Sequence, residues 1–134
     1  MRAAASAGLD VPTAGPCCYP LSHGFIAAYA DLLRKGLAEV PQGCVPRILF
    51  SAHGLPKRIV LAGDPYATQV EASARAIAEA AGAAGVDQRI TYQSRVGPLE
   101  WIGPDTDEEI KAAGSAGLVP VVVPLSFVSE HSET

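Results

Sequence analysis

Histidines and carboxylates follow two apolar segments of this sequence, and these residue types can bind a metal ion or move a proton. His53 follows an apolar segment in the middle of the chain, and Glu130, His131 and Glu133 follow another near its end. A neutral imidazole accepts a proton near neutral pH and, like a carboxylate, ligates first-row divalent metals. The residue types therefore indicate metal binding or proton transfer as the chemistry to consider.

Each of these residues also has an ordinary structural explanation. A lone histidine more often hydrogen-bonds the backbone than acts in catalysis, and acids at the start of a helix are stabilised by the helix dipole without further function. Gly54 and Pro56 favour a tight turn, which would present the side chain of His53 at the rim of a sheet. Glu130 and Glu133 would share one face of a helix. Spacing alone leaves both explanations open.

Strands and helices alternate in the pattern of apolar residues. The predicted strands are 47–51, 89–93 and 118–125, and the predicted helices are 24–40, 67–84 and 105–113. This alternation specifies a parallel sheet with right-handed crossovers, so we predict an α/β fold with a three-layer parallel sheet. Pro120 and Pro124 withhold donors from a ladder, which places the third strand at a sheet edge or puts a proline at its end.

In open parallel sheets, ligands bind beyond the carboxyl ends of the strands. The residues at these ends are His53 after the first strand, Gln93 and Ser94 at the second, and 126–133 after the third. We therefore expect two histidines and two carboxylates at one rim. Gln93 and Ser94 have a simpler explanation as polar groups that satisfy loop backbone, and the aromatic residues Tyr92, Trp101 and Phe127 are by default core residues.

Composition and charge exclude several classes of protein. A chain of 134 residues suits one domain, and a net charge of −4 without a basic stripe argues against a nucleic-acid partner. No apolar run approaches the roughly 18 residues of a membrane span, and the amino terminus lacks the apolar region of a secretory signal. We therefore expect a cytoplasmic protein, with Cys17, Cys18 and Cys44 as reduced thiols.

The density of glycine and proline changes along the chain. Residues 1–16 are rich in both and are predicted to be a linker or a truncated start, whereas 17–134 read as one domain that is incomplete at its end.

Three ordered segments of this domain resemble the signatures of the ferrochelatase family. They are LFSAHGLP at 49–56 with GDPY at 63–66, YQSRVGP at 92–98 with Trp101, and VPLSFVSEHSET at 123–134. The resemblance covers 17–134 and implies one half of a two-domain chelatase-like fold. Ser132 stands where an apolar residue is usual in the family.

The resemblance implies a lyase that inserts ferrous iron into a porphyrin to make haem. Under it, His53 and Glu133 match the residues that bind the metal and carry the catalysis, with Glu130 and His131 beside them. It also implies porphyrin contacts by Trp101, Phe127, Gln93 and Ser94. Iron and porphyrin are substrates, and we expect no cofactor.

Ferrochelatases have two similar α/β halves, and the resemblance implies that the amino-terminal half is a missing partner, so the chain is expected to be inactive alone. Peripheral membrane association of the complete enzyme stays open, as does the choice of porphyrin. Two alternatives remain: a metal- or tetrapyrrole-binding domain without turnover, and a related cobalt or nickel chelatase, because histidine and carboxylate select weakly among divalent metals.

Overall fold

The computed structural model describes residues 6–8, 15 and 18–127. The elements in chain order are α1 (His23–Ala38), β1 (Val45–His53), α2 (Lys57–Leu61), α3 (Tyr66–Ala81), β2 (Asp87–Gln93), α4 (Thr106–Ser115) and β3 (Leu118–Pro124). Among the described residues, no helix is long and apolar enough to cross a bilayer. The predicted division between 1–16 and 17–134 falls largely outside these residues and stays a prediction.

The three strands form one parallel sheet in the order β2–β1–β3. β1 lies in the centre, and its residue Ser51 is aligned with Thr91 on one side and Pro124 on the other. The register with β2 continues to the end of both strands, where His53 faces Gln93. The parallel direction brings all three carboxyl ends to one rim, as the sequence predicts.

The helices cover both faces of the sheet. The chain crosses from β1 to β2 in one direction and returns past β1 to β3 in the other, so right-handed crossovers place α3 and α4 on opposite faces. α1 packs against α3, while α4 contacts all three strands. The prediction of a three-layer α/β fold is confirmed.

Alternate residues of β1 divide between the two faces because side chains of a strand point to opposite sides in turn. Ile48 and Phe50 join a buried cluster with Leu33 of α1 and Ile77 of α3. Ser51 lies on the other face, where its hydroxyl contacts α4. By the same alternation, His53 shares the face of Ser51.

The prolines of β3 lie on a strand at the edge of the described sheet, which is one of the two positions predicted for them. Pro120 is aligned with Arg47, and Pro124, the last residue of β3, is aligned with Ser51. Among the strands that the structure describes, β3 pairs with β1 alone, so its prolines withhold donors without disrupting a second ladder there.

Several boundaries differ from the predicted ones for local reasons. Residues 57–61 form the short helix α2 inside a predicted loop, with Pro56 immediately before its first turn. α3 ends at Ala81, earlier than predicted, because Gly82 adopts a left-handed φ of 73° that terminates the helix. α4 begins after Asp105, whose carboxylate accepts hydrogen bonds from the N–H groups of Asp107 and Glu108.

Candidate functional site

His53 is the last residue of β1 and is half-buried at the rim. Its Nδ1 atom lies 2.7 Å from the carbonyl oxygen of Gly54. A carbonyl oxygen can only accept a hydrogen bond, so Nδ1 carries the proton of the neutral ring. The lone pair is therefore on Nε2, which is the atom that can take up a proton or ligate a metal ion.

Gly54 holds the chain close to the end of β2. Its N–H donates to the carbonyl of Gln93 over 2.8 Å, which extends the β1–β2 pairing by one bond. A Cβ atom at this position would lie 3.1 Å from the Gln93 oxygen and 3.3 Å from Cε3 of Trp101. The absence of a side chain thus allows both the strand end and the tryptophan ring to approach the backbone next to His53.

Backbone hydrogen bonds of the two residues that flank Trp101 hold it against the segment that follows Gly54. The N–H of Ile102 donates to Leu55, and the N–H of Lys57 donates to Glu100, at 2.9 and 2.8 Å. Nε1 of Trp101 is buried, and among the described residues it has no hydrogen-bond partner. The indole is therefore positioned by packing and by its backbone.

A chain of buried hydroxyls fixes the side chain of Gln93. Oγ1 of Thr106, at the start of α4, lies 2.9 Å from both Ser51 Oγ and Thr91 Oγ1. Ser51 in turn donates to Oε1 of Gln93 over 3.1 Å. The amide oxygen of Gln93 is thereby occupied, so its NH₂ group is the end that can donate to another molecule.

The loop after β2 carries the remaining predicted polar residue. Ser94 has a left-handed φ of 62°, which reverses the chain immediately after Gln93. Arg95 follows and pairs with the carboxylate of Asp105 at 3.3 Å, closing the base of the loop that presents Trp101.

The turn after β3 lies beside the end of β1. The N–H of Leu125 donates to Ser51 over 2.7 Å, and Ser126 then adopts a left-handed φ of 72°. The hydroxyl of Tyr29, on α1, lies 3.0 Å from the carbonyl oxygen of Pro124 and 2.9 Å from that of Phe127. One phenol thus fixes the turn that leads to Phe127.

Tyr66 connects this turn to His53 and was not among the site residues predicted from the sequence. Burial raises the pKa of Tyr66, and hydrogen bonding by the side chain of Ser126 and the backbone of His53 offsets part of that effect. Its only sequence signal was its position in the segment GDPY, where the Asp64 carboxylate accepts the Tyr66 N–H over 2.9 Å.

The structure brings some of the predicted site residues together, and others lie outside the residues that it describes. His53, Gln93 and Trp101 surround Gly54. Glu130, His131 and Glu133 lie outside the described residues, so the approach of His53 to Glu133 stays a prediction. Within 6–8, 15 and 18–127, no group of three or more histidine, cysteine, aspartate or glutamate side chains is placed to hold a metal ion.

The comparisons with known proteins agree with the motifs. The ferrochelatase family model matches residues 1–134. The ferrochelatase of Rickettsia conorii is 47% identical over 126 residues, which cover 94% of this chain and 36% of the relative. The ferrochelatase of Phenylobacterium zucineum is 51% identical over 118 residues, which cover 88% of this chain and 34% of the relative. The chain thus spans about a third of the length of these curated relatives.

Proposed function

Because this chain belongs to the ferrochelatase family, we propose that it supplies metal-handling and porphyrin-contacting residues to a lyase that inserts ferrous iron into a porphyrin to make haem. The observation that carries this proposal is the position of His53 at the carboxyl end of the central strand, with the lone pair on Nε2 and with Gln93 and Trp101 beside it. The names of the relatives support the same reaction.

The reaction exchanges two pyrrole protons for one Fe²⁺ ion. It therefore needs a group that accepts protons and a group that holds the incoming ion. Nε2 of His53 suits both roles, since a neutral imidazole is a base near neutral pH and a ligand for first-row metals. We assign the second role in metal binding and catalysis to the carboxylate of Glu133.

The porphyrin requires flat apolar walls and a few polar contacts at its edge. We assign the apolar contacts to Trp101 and Phe127, and their contacts with the ring would offset the cost of bending it toward the geometry that accepts a metal. The NH₂ group of Gln93, oriented by its bond with Ser51, is a donor for an acceptor on the substrate. We assign Ser94 to the same polar edge.

The partners of this chain follow from its share of the relatives' length. A chain that spans about a third of those proteins supplies only part of a cleft large enough for a porphyrin. We propose that the amino-terminal part of the family's fold completes the cleft and that the 134 residues alone insert iron no faster than the uncatalysed reaction. We place the reaction in the cytoplasm.

The test is a chimera in which this chain replaces the matching segment of the Phenylobacterium zucineum ferrochelatase. Anaerobic haem formation from Fe²⁺ and a porphyrin is followed by absorbance. We expect turnover by the chimera, loss of turnover in its His53→Ala and Glu133→Ala variants, and nearly unchanged porphyrin affinity, because the ring is held mainly by apolar walls. The exposed residue Lys111, in the middle of α4, provides the control substitution Lys111→Ala.

Other outcomes of this experiment separate the alternatives. Tight porphyrin binding without haem formation would identify a tetrapyrrole-binding module. Faster insertion of Co²⁺ or Ni²⁺ than of Fe²⁺ would identify a different chelatase. Normal turnover by the His53→Ala variant would contradict the role assigned to His53.

A further inference from the structure

The peptide group that ends β3 is held from both sides. The N–H of Leu125 donates to the carbonyl of Ser51 over 2.7 Å. Because the N–H and C=O of one trans peptide point in opposite directions, the carbonyl of Pro124 faces away from β1. This carbonyl accepts a hydrogen bond from the hydroxyl of Tyr29 over 3.0 Å. The peptide group is therefore fixed between the central strand and α1.

The hydroxyl of Tyr29 also contacts the far end of the turn that follows. The carbonyl of Phe127 accepts from it over 2.9 Å, so the carbonyls of residues 124 and 127 converge on one oxygen. Neither carbonyl can donate, and the single phenol proton is therefore shared between the two. Between them, Ser126 has a left-handed φ of 72°, a conformation that persists only where surrounding contacts hold it. The Tyr29 hydroxyl supplies two of these contacts.

The packing of α1 fixes the position of the phenol. Gly36 lies two turns after Tyr29 on the same face of the helix, and a Cβ atom there would lie 3.3 Å from Cγ1 of Val121. α1 thus runs close to β3. One turn before Tyr29, the ring of Phe25 contacts the phenol, with the ring centroids 4.7 Å apart. The hydroxyl therefore approaches the turn from a helix that is packed against the same strand.

We propose that Tyr29 is a positioning residue for Phe127: by bonding both ends of the turn 124–127, its hydroxyl determines where the ring of Phe127 enters the substrate cleft. This inference deepens the proposed function and rests on the porphyrin contact assigned there to Phe127. Phe127 is the third residue after β3, so a rotation of the backbone within the turn would displace its ring from the position that this contact requires.

The first measurement is independent of the role of Phe127. In the 134-residue chain, hydrogen exchange of the buried Leu125 N–H is compared by NMR with that of Phe50, in the centre of the sheet. In Tyr29→Phe we expect exchange at Leu125 to become about threefold to tenfold faster relative to Phe50, because the hydroxyl is lost while the ring is kept. The control is Tyr19→Phe, which removes a hydroxyl from a 48% exposed residue whose ring also contacts Phe25. It should leave this ratio unchanged.

The second measurement is iron insertion by the chimera described above, in a double-mutant cycle. For Tyr29→Phe we expect kcat/KM for the porphyrin to fall about fivefold. In the Phe127→Ala background, the same substitution should lower it by less than about twofold, because the ring that Tyr29 positions is absent. A merely structural role would lower kcat/KM by the same factor in both backgrounds. Tyr19→Phe should retain kcat/KM.

The two measurements distinguish failure of this inference from failure of the proposed function. An unchanged ratio of exchange at Leu125 and Phe50 in Tyr29→Phe would overturn the inference whatever the chimera does. Equal effects of Tyr29→Phe with and without the ring of Phe127 would also overturn it. A chimera that forms no haem, or one whose kcat/KM is unchanged by Phe127→Ala, would contradict the proposed function. The exchange ratio then decides alone whether Tyr29 fixes the turn that carries Phe127.

Discussion

The N–H of Gly54 donates to the carbonyl of Gln93 over 2.8 Å, one residue beyond the point at which His53 and Gln93 face each other across the sheet. This bond holds the ends of β1 and β2 together where the imidazole and the amide side chain emerge. The absence of a side chain at Gly54 leaves room for the ring of Trp101, whose Cε3 would lie only 3.3 Å from a Cβ atom there. The geometry of the rim therefore depends on a residue without a side chain.

Replacing Gly54 with alanine should destabilise the protein. The new methyl group would lie 3.1 Å from the Gln93 oxygen, and this backbone atom can move only by weakening the bond to Gly54. We expect the free energy of unfolding in urea to fall by about 1–3 kcal/mol, as overpacking of a well-packed site does. Gly114→Ala, in α4 and with no atom within 4 Å of the added carbon, is the matched control and should not destabilise.

Thr106→Val should remove the central member of the buried hydroxyl chain while keeping the shape of the side chain. Thr106 is 5% exposed, and its replacement removes the hydroxyl that contacts both Ser51 and Thr91, while Ser51 keeps its bond to Gln93. We expect a loss of about 1–3 kcal/mol in the free energy of unfolding. Ser115→Ala removes an exposed hydroxyl from the same helix and should change it by less than about 0.5 kcal/mol. Equal effects of Thr106→Val and Ser115→Ala would contradict a structural role for the buried hydroxyls.

Alkaline pH should unfold this protein through its tyrosines. Burial raises the pKa of Tyr29, Tyr66 and Tyr92 above the ordinary value of 10.0, and for Tyr92 the charge of Glu71 adds to the effect. Above pH 10.0 the folded protein then binds more protons than the unfolded chain, so stability that is complete below this pH is lost as the pH rises through the folded values.

Urea unfolding measured from about pH 8 to about pH 11 provides the test, together with the phenolate absorbance of the folded protein. We expect the urea concentration at the midpoint of unfolding to stay constant at first and to decline above pH 10.0. The decline should be shallower in Tyr92→Phe. Stability that rises over this interval would show that the sign of the linkage is wrong.

Trp101→Phe and Trp101→Ala should separate the packing of the indole from its polar atom. Nε1 makes no hydrogen bond with the described residues, so its removal with retention of an aromatic ring should cost less than about 1 kcal/mol of the free energy of unfolding. Trp101→Ala removes the whole ring that packs against Gly54 and should lower the free energy of unfolding by about 2 kcal/mol or more. The measurement is urea unfolding followed by circular dichroism, because Trp101 is the chain's one tryptophan. A large cost in Trp101→Phe would indicate a hydrogen-bond acceptor for Nε1.

The order of the strands and helices along the chain and the positions of the strand ends can be predicted from local sequence patterns. Apolar segments such as 47–51 and 89–93 carry a local signal that depends on few neighbours, so the parallel sheet is predictable from them. The prolines at 120 and 124 predict an edge strand or a strand end, and β3 is at the edge of the described sheet. The same signals place His53 and Gln93 at one rim, because parallel strands end on the same side of a sheet.

Which groups meet at that rim depends on how the helices and strands pack against one another. The pKa of Tyr66, at the start of α3, is affected by the backbone of His53 and the side chain of Ser126, and neither segment shows this by its own composition. The contact of Trp101 with Gly54 and the chain from Thr106 to Gln93 join residues that are more than ten positions apart. Such contacts depend on where whole elements pack, since the local pattern of a segment determines its own conformation and not its distant neighbours.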